Sequence, residues 1–338
     1  MKALLFLNGP DSCQASVEDG FNHCVAKGIL SAVDFFYFED FAKSNGADKA
    51  KIKMHDLVKS FLPDLIVLFH FRDFPIDNSF FEKIKSIVPD SKIIYDEGDM
   101  YGGIFKPITS TMKVCMYAAD VISIRGLGCW HDEVSSFKKK IIYTPHCASL
   151  NRISDGLELN MKKTKKSVLI GNSVYTIFKG LHFLPGSSGR VRLVKELTRS
   201  LGNRFDVYGN GWEKFSSNRG RIPFQQQVQV CNDSWIQVAF EHYPKVSYYF
   251  SDRLPIALSC GQIYVCHFHE GYDQIFKGCD FIYFFKTPKE AVDIINYLFS
   301  LEDNVLIEKS KRARQFAQQY FHPKVIWKNF ILNLIDSN

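Results

Sequence analysis

Long apolar runs and a strong net charge are both missing from this chain of 338 residues. The first apolar stretch, residues 3–7, ends at Asn8-Gly9-Pro10 and is too short for a signal-peptide core. No other run approaches the roughly 20 apolar residues of a membrane-spanning helix. The 42 basic and 36 acidic residues give a net charge of +6, which is too small to indicate nucleic-acid binding. We therefore expect a cytoplasmic protein with no nucleic-acid partner.

The chain also lacks any Cys-x-x-Cys pair, although it has nine cysteines. An odd, scattered set of cysteines is typical of reduced thiols and not of a disulfide framework. Prolines are few, 12 in all, whereas 46% of the residues are hydrophobic. This composition indicates a chain that folds throughout, and its length favours two domains.

Apolar segments of strand length alternate with segments of helical periodicity through both halves of the chain. In the first half the predicted strands cover residues 3–7, 33–38, 64–70, 92–95, 120–124 and 140–143. In the second half they cover residues 167–170, 205–208, 235–240, 263–266 and 281–285. Strands that alternate with helices predict an α/β protein with two doubly wound, Rossmann-like domains and a cleft between them.

The alternation is interrupted once, in a segment without clean periodicity that ends in the basic run MKKTKK. We therefore predict a first domain of residues 1–145, a linker of residues 146–166 and a second domain of residues 167–322. Residues 323–338 follow as a C-terminal helix.

The second domain contains the strongest candidate for a binding site, at Arg253. Ser251 or Asp252 is suited to cap a helix there, Pro255 falls in its first turn, and Gly261 is placed to end it. The N–H groups at a helix start attract anions, and Arg253 adds a positive charge. The pattern predicts a phosphate or diphosphate site, with Arg253 in a solvated position.

The same stretch resembles the C-terminal half of GT-B glycosyltransferases. Arg253 and residues 257–261 (ALSCG) are followed by a strand, a glycine-containing loop with Phe276, and a strand leading into a Thr-Pro-Lys-Glu helix start. It is most similar to the spore-maturation-protein-B-like group, which shares the pattern Arg-x-x-Glu-Ala-x-Ala-x-Gly. Ile256 stands where that group has glutamate, the residue that binds the donor ribose in related retaining enzymes.

The resemblance implies that the second domain binds a nucleotide sugar and the first a glycan, a lipid-linked molecule or another acceptor. The implied activity is sugar transfer between them, as in polysaccharide or glycoconjugate biosynthesis. It implies no metal and no cofactor, because helix dipoles and basic side chains hold the donor diphosphate. It also implies that the C-terminal helix crosses back to the first domain.

Several residues that follow strands of the second domain are candidates for donor contacts, because ligands of doubly wound domains bind in these loops. The resemblance assigns a glycine loop and a Lys-Gly pair to the donor, matched here by Gly171-Asn172-Ser173 and Lys179. The other candidates are Arg190, His269, Glu270, Gly271 and Tyr272. His267 and His269 share one face of a strand, but no third residue with metal-ligand spacing is nearby.

Two residues at the ends of strands in the first domain are candidates for a catalytic base. Asp99 follows the fourth predicted strand, in the segment Asp96-Glu97-Gly98-Asp99, and His70 ends the third. An inverting transfer would need such a base, whereas the resemblance favours retention. The sequence leaves the choice open, and an acidic turn in solvent explains Asp99 equally well.

Basic residues cluster around the predicted linker: Lys138, Lys139, Lys140, Lys162, Lys163, Lys165 and Lys166. Most such runs are solvated faces, but this one is also suited to hold an anionic, lipid-linked acceptor at the inner face of a membrane.

Two other functions fit the same fold. A nucleotide-sugar epimerase would use the phosphate site without an acceptor, and a non-catalytic module would bind without turnover. Ile256 in place of glutamate gives the module some weight as the second alternative to transfer. Incubation of nucleotide sugars with and without acceptor extracts separates these alternatives, because only transfer enlarges the acceptor.

We predict that all nine cysteines are free thiols in the native protein. Alkylation of the unreduced protein followed by mass spectrometry should find nine modified residues. A stable disulfide would contradict the cytoplasmic assignment.

Overall fold

The computed structural model describes residues 1–10, 13–101, 106–149, 153, 156–173 and 184–335. The chain divides into two compact units. The first comprises Met1–His146 together with the chain from Pro323 onward, and the second comprises Cys147–His322.

The first unit contains one parallel sheet of six strands: β1 (Lys2–Leu7), β2 (Ala32–Tyr37), β3 (Leu65–Phe69), β4 (Lys92–Glu97), β5 (Val121–Ile124) and β6 (Lys140–Tyr143). Their order across the sheet is β2-β1-β3-β4-β5-β6. The helices are α1 (Ala15–Ala26), α2 (Phe38–Asn45), α3 (Ala47–Phe61), α4 (Asn78–Ile87), α5 (Ser110–Ala118), α6 (Cys129–Ser135) and the C-terminal helix (Pro323–Ile335).

The strand order of this sheet reverses once, because the chain runs from β1 outward to β2 and then returns past β1 to β3. Loops at the carboxyl ends of strands diverge at such a point and leave room for a ligand. β3 is buried along its whole length, so the backbone that leads into His70 is firmly held. Glu97 ends the neighbouring β4, which brings its carboxylate to the same edge.

The C-terminal helix packs on α1 within the first unit. The Trp327 ring lies 5.6 Å from the ring of Phe21 and 5.5 Å from that of Phe69, measured between centroids. Gly20 of α1 faces this indole so closely that a Cβ there would overlap Trp327. The close approach of the two helices therefore depends on the missing side chain at Gly20.

The second unit contains a parallel sheet of five strands: β7 (Thr164–Ile170), β8 (Phe205–Tyr208), β9 (Ser234–Ala239), β10 (Ile263–His267) and β11 (Ile282–Phe285). Their order is β11-β10-β9-β7-β8, with the same reversal, here between β7 and β9. The helices are α7 (Ser187–Leu201), α8 (Phe224–Asp233), α9 (Arg253–Ser259), α10 (Tyr272–Ile275), α11 (Pro288–Ser300) and α12 (Asp303–Tyr320), with a 3-10 turn at Gly202–Arg204.

The two parallel sheets confirm the predicted fold class, and each predicted strand is present within a few residues. The sequence does not predict α2 or α8. The apolar run of β2 continues into Phe38, which hides the start of α2. In α8, three consecutive glutamines and the lack of a side-chain cap remove the usual helix-start signals.

All nine cysteines lie among the described residues, and none of them forms a disulfide there. Within the ranges that the structure describes, none of the helices has both the length and the apolar character needed to cross a membrane.

We predict that Gly20→Ala lowers the stability of the protein. The added methyl overlaps Trp327, and overpacking of this kind costs about 1–3 kcal/mol, more than the ~1 kcal/mol gained in helix propensity. Thermal unfolding should therefore begin at a lower temperature. The matched control is Asn22→Ala on the exposed face of α1, which should leave the transition unchanged or raise it. An unchanged transition for Gly20→Ala would show that the C-terminal helix does not depend on this contact.

Candidate functional site

The strand reversal in the second unit brings together residues from three segments. Gly171 and Asn172 directly follow β7, Glu241 follows β9, and Arg253 begins α9. Because β7 and β9 are paired neighbours, their carboxyl ends lie side by side. This is the edge of a doubly wound sheet at which ligands bind.

A buried carboxylate, Glu241, is at the centre of this cluster. One of its oxygens accepts a hydrogen bond of 2.9 Å from the Ser251 hydroxyl, and the other lies 3.0 Å from Nη2 of Arg253. Burial alone would raise the pKa of Glu241, but the charges of Arg253 and Arg190 outweigh it and lower the pKa to about 2. Glu241 is therefore a fixed anion that holds Arg253 in one orientation.

Arg253 directs part of its guanidinium towards Gly171. A Cβ built on Gly171 would lie 3.9 Å from Nη1 of Arg253 and 3.2 Å from Nη1 of Arg190, so two guanidinium groups converge on one glycine. The Arg253 side chain is 25% exposed. Burial would lower its pKa, but Glu241 reverses the effect and raises the pKa above the ordinary value for arginine. The Arg253 side chain is therefore partly exposed and is also held by a buried carboxylate, a partner that the sequence does not predict.

Arg190 is buried, and its N–H groups bond within the protein. Nε and Nη2 donate to the carbonyl of Phe240, while Nη1 donates to the carbonyl of Asn172 at 3.1 Å and to Nε2 of His242 at 2.6 Å. Burial, followed by the charge of Arg253, lowers the pKa of Arg190 to about 9. Arg190 therefore fixes the loop after β7 and adds positive charge behind it.

The loop after β7 is held against the loop after β8. The Trp212 indole N–H donates to the carbonyl of Gly171 at 2.7 Å, and Asn172 Oδ1 accepts the backbone N–H of Asn210 at 2.9 Å. Gly209 has a φ of +134°, and a Cβ there would collide with Gly171. Only a glycine at position 209 allows the two loops to approach this closely.

A cavity of about 450 Å³ opens beside these loops. Its cationic side chains are Arg221 and Arg253, and its one anionic side chain is Asp252. Its remaining walls are backbone, small polar residues and the apolar or aromatic side chains of Ile170, Tyr208, Ile222, Pro223 and Phe224. A volume of roughly 300–1,000 Å³ is typical of small-ligand sites, and the polar lining of this cavity suits a polar ligand.

The helix that begins at Arg253 has only seven residues, and its start has no side-chain cap. Asp252 occupies the predicted N-cap position but makes no capping hydrogen bond with its side chain, and the Ser251 hydroxyl bonds Glu241 instead. Gly261 does end the helix with a left-handed φ of 66°, as predicted. Ile256 lies within an apolar cluster with Ala148, Ile170 and Val228. In this short helix the Arg253 guanidinium is a stronger source of positive charge than the helix start.

The predicted donor loop after β10 is mostly internal. His269 is 1% exposed and stacks on Tyr272 at 5.1 Å, and the Tyr272 hydroxyl donates to the carbonyl of Tyr249. Burial lowers the pKa of His269 despite the nearby Glu241, so the ring is neutral at pH 7. Glu270 is exposed and accepts a hydrogen bond from Ser247 at 2.8 Å. Of these side chains, Glu270 is the one open to solvent.

The remaining candidates for donor contacts in the second unit are Ser173, Gly271 and Lys179. Ser173 follows Asn172 and is buried, and its hydroxyl has no described partner. Gly271 starts α10 with a φ of 88°. Lys179 lies outside the described residues. Among the residues that are described, no three His, Cys, Asp or Glu side chains are grouped so as to hold a metal ion.

The position of Lys163 contradicts part of the predicted basic surface. Its side chain is buried, and its ammonium donates to the carbonyls of Cys231 and Asn232 in α8 and of Cys260 after α9. Lys165 and Lys166 form ion pairs with Asp303 and Asp206. Lys163 is therefore internal to the second unit and unable to reach a membrane, whereas Lys165 and Lys166 are at its surface with acidic partners.

A second polar cluster lies in the first unit, at the carboxyl ends of β3 and β4. Nδ1 of His70 is 2.6 Å from Oε1 of Glu97, and this carboxylate is fully buried. Glu97 also accepts hydrogen bonds from the Tyr95 hydroxyl at 2.7 Å and from the backbone N–H of Asp99 at 2.9 Å. Burial would lower the pKa of His70, but Glu97 and Asp99 raise it above the usual value.

Asp99, the other predicted base, has a different environment. Its carboxylate is 58% exposed and forms an ion pair of 3.0 Å with Lys106. Burial raises the pKa of Asp99, but Lys106 and two histidines lower it overall. A carboxylate with a lowered pKa is a weak proton acceptor at neutral pH, so His70 is the better base of the two.

Sequence reasoning missed Glu241 and the role of Glu97. Glu241 is a charged residue immediately after a predicted strand, which was an available signal. Glu97 was noticed only as part of an acidic turn, although it ends the buried strand β4.

Two units with parallel, Rossmann-like sheets, the second with an arginine-lined cavity beside the loops after β7 and β8, match the GT-B fold of glycosyltransferases. Residues 190–331, somewhat less than half of the chain, match the family described as glycosyl transferase-like. A comparison with curated proteins found no match.

Solved structures with the same fold cover the whole chain. The E. coli trehalose-6-phosphate structure bound with UDP-2-fluoro glucose is 8% identical with a TM-score of 0.61, over 99% of this chain and 99% of that chain. Sucrose-phosphate synthase from Thermosynechococcus elongatus is 11% identical with a TM-score of 0.56, over 100% and 99%. Anabaena HepE in complex with UDP-glucose is 13% identical with a TM-score of 0.54, over 100% of both chains.

These findings confirm the predicted GT-B fold and the predicted resemblance to glycosyltransferases. They do not single out the spore-maturation-protein-B-like group.

We predict that Glu241→Gln destabilises the protein in a pH-dependent way. The folded-state pKa of about 2 lies below the ordinary value of 4.5, so this carboxylate stabilises the fold above pH 4.5 and loses that effect as the pH falls towards 2. The shift corresponds to a loss on the order of 3 kcal/mol at pH 7. Urea unfolding should show a parent–variant difference at pH 7 that falls to less than about half at pH 3. Exposed Glu302→Gln should show no such difference, and a pH-independent effect of Glu241→Gln would contradict the assignment.

Proposed function

We propose that this protein is a glycosyltransferase that transfers a sugar from a nucleotide-sugar donor. The cavity at the carboxyl ends of β7 and β8 carries the proposal, because it combines aromatic walls with an arginine held by a buried carboxylate. A nucleoside diphosphate has the same two parts, an aromatic base and an anionic diphosphate.

Tyr208 and Phe224 offer aromatic surface to the nucleoside, and Asn172 and Asn210 offer hydrogen bonds. Arg253 has donors beyond the one that bonds Glu241, and a guanidinium binds phosphate oxygens with two parallel hydrogen bonds.

The pairing of Arg253 with Glu241 also suits the stabilisation of a leaving diphosphate. Negative charge develops on the diphosphate as its bond to the sugar breaks, and a positive group that is already oriented stabilises that charge without reorganising. Arg253 is such a group, because Glu241 already holds it at 3.0 Å with no ligand present. Metal-independence is part of the proposal, since Arg253 supplies the charge that a divalent cation would otherwise provide.

The family match over residues 190–331 favours transfer over the epimerase and over the non-catalytic module. Several neighbours in fold are solved with UDP, UDP-glucose or a UDP-sugar analogue, which supports a uridine nucleotide as the first donor to test. On the acceptor side we propose a glycan or a lipid-linked molecule used in glycoconjugate biosynthesis on the cytoplasmic side of a membrane. Of the basic residues around the linker, Lys138 and Lys140 are exposed in the first unit and Lys162 in the second, which leaves them for anionic groups.

We predict that Arg253→Ala weakens binding of UDP about ten- to a hundred-fold, because hydrogen bonds to a charged group are worth about 1.5–3 kcal/mol. Arg253→Lys should recover only part of the affinity, since an ammonium does not reproduce the guanidinium fork. Isothermal titration calorimetry with UDP measures both effects.

Uridine, which has no phosphate, should bind the parent and both variants alike. Arg199→Ala, at an exposed arginine of α7, should bind UDP as the parent does. Because Arg253→Ala leaves the buried Glu241 with one cation fewer, thermal unfolding must be measured beside binding. Parent-like UDP affinity in folded Arg253→Ala would place the donor elsewhere.

A further inference from the structure

The cavity of the second unit has one acidic side chain among its described lining residues, that of Asp252. Asp252 directly precedes Arg253, and the two charges influence each other. Burial lowers the pKa of Arg253, but the charge of Glu241, followed by that of Asp252, raises it. A carboxylate in this position repels the diphosphate that Arg253 is suited to bind. Phosphate binding therefore does not account for a carboxylate at this place.

Helix capping does not account for the Asp252 carboxylate either. Asp252 occupies the N-cap position of α9, where an aspartate usually accepts a hydrogen bond from a backbone N–H of the first turn. Residues that cap in this way have an extended backbone, whereas Asp252 has helical φ and ψ angles of −53° and −20° and makes no capping bond. The side chain is instead partly exposed in the cavity wall, where a ligand is able to reach it.

A nucleoside diphosphate offers hydrogen-bond donors to a carboxylate at its ribose and at its base. The ribose has two adjacent hydroxyls, which match the two oxygens of one carboxylate, and hydrogen bonds to a charged acceptor are the stronger kind. An acidic side chain binds the ribose of dinucleotides in other doubly wound domains. The ribose is joined directly to the diphosphate, whereas the base lies farther from it. An acid beside Arg253 is therefore placed for the ribose, and the ring of Phe224 is left for the base.

Neighbouring residues of the cavity do not offer an alternative acid. The helix α9 contains no acidic residue, and Ile256, one turn after Asp252, is buried in an apolar cluster. Glu241 is buried, and each of its two oxygens already has a partner within the protein. Within the described lining of the cavity, Asp252 is thus the acid that a ribose is able to reach.

We propose that Asp252 binds the ribose hydroxyls of the donor and selects ribonucleotides over 2′-deoxynucleotides and over pyrophosphate. This inference rests on the function proposed above. Arg253 binds the diphosphate, and Asp252, one residue earlier, binds the ribose that joins it to the base. The contact lies one turn before Ile256, the position at which the resembling group has glutamate. An anion without ribose meets only the repulsion of Asp252, so the same carboxylate that strengthens nucleotide binding weakens the binding of pyrophosphate.

The test is isothermal titration calorimetry of the whole chain with UDP, GDP, the 2′-deoxy form of each, and pyrophosphate. Two substitutions separate the hydrogen bond from the charge. Asp252→Ala removes both, whereas Asp252→Asn removes the charge and keeps one oxygen as an acceptor. Both variants should fold, because the carboxylate makes no capping bond, and thermal unfolding checks this. The matched control is Asp293→Ala, at an exposed aspartate of α11.

The parent and Asp293→Ala should bind the preferred nucleotide about tenfold more tightly than its 2′-deoxy form, which is the usual effect of one hydrogen bond to a charged group. In Asp252→Ala this ratio should fall to about one, and in Asp252→Asn it should lie between the two. Both variants should bind pyrophosphate about three- to tenfold more tightly than the parent, because a repulsive charge beside Arg253 is gone. A purely structural role would not remove the preference for ribose and at the same time improve the binding of pyrophosphate.

Equal binding of the preferred nucleotide and its 2′-deoxy form by the parent would overturn the inference, and this measurement needs no variant. A parent-like ratio in folded Asp252→Ala would overturn it too. So would the loss of a preference between UDP and GDP in Asp252→Ala with the ribose preference intact, because Asp252 would then bind the base. All three outcomes leave the proposed donor site in place. If the parent binds neither UDP nor GDP, the proposed function fails, and this inference fails with it.

Discussion

The ion pair between Glu241 and Arg253 is the interaction on which the candidate donor site depends. A carboxylate buried to this degree is stable only as a paired ion, because removing either partner leaves an unpaired charge. Glu241 follows β9, Arg253 begins α9, and Arg190 of α7 binds the neighbouring Phe240 carbonyl. These interactions together join α7, the end of β9 and the start of α9. The positive groups at the loop after β7 are oriented before any anion arrives.

Orientation in advance has a thermodynamic advantage. A guanidinium free in solvent loses side-chain entropy when it binds a phosphate, whereas Arg253 has already lost much of it on folding. The loss of side-chain entropy therefore lowers the free energy of unfolding, through the pairing with Glu241, and does not weaken the binding of the ligand. The same logic holds in the first unit, where Glu97 orients the ring of His70 with no ligand present.

The sequence alone predicts both sheets because their strands are continuous apolar runs ended by turns, and this signal is local. It also identifies Arg253 and His70 as candidate site residues, since Arg253 begins a helix and His70 follows a buried strand. It does not reveal the partners Glu241 and Glu97, because pairing across strands depends on register, and an acidic residue after a strand is equally at home in solvent. Nor does it show that His269 and Tyr272 are internal, since their burial comes from aromatic packing with residues far along the chain.

Lys163 connects the cavity to a distant point of the second unit. Its ammonium donates hydrogen bonds to carbonyl groups at the C-terminal ends of α8 and α9. The N-terminal ends of the same two helices place Phe224 and Arg253 in the cavity wall. The two helices are about 15 Å and 10 Å long, so Lys163 holds them together at that distance from the cavity. A substitution that removes the Lys163 ammonium would therefore remove a hydrogen bond from the end of each helix at once. The distance between Phe224 and Arg253 would then be less firmly fixed, although neither residue had been substituted.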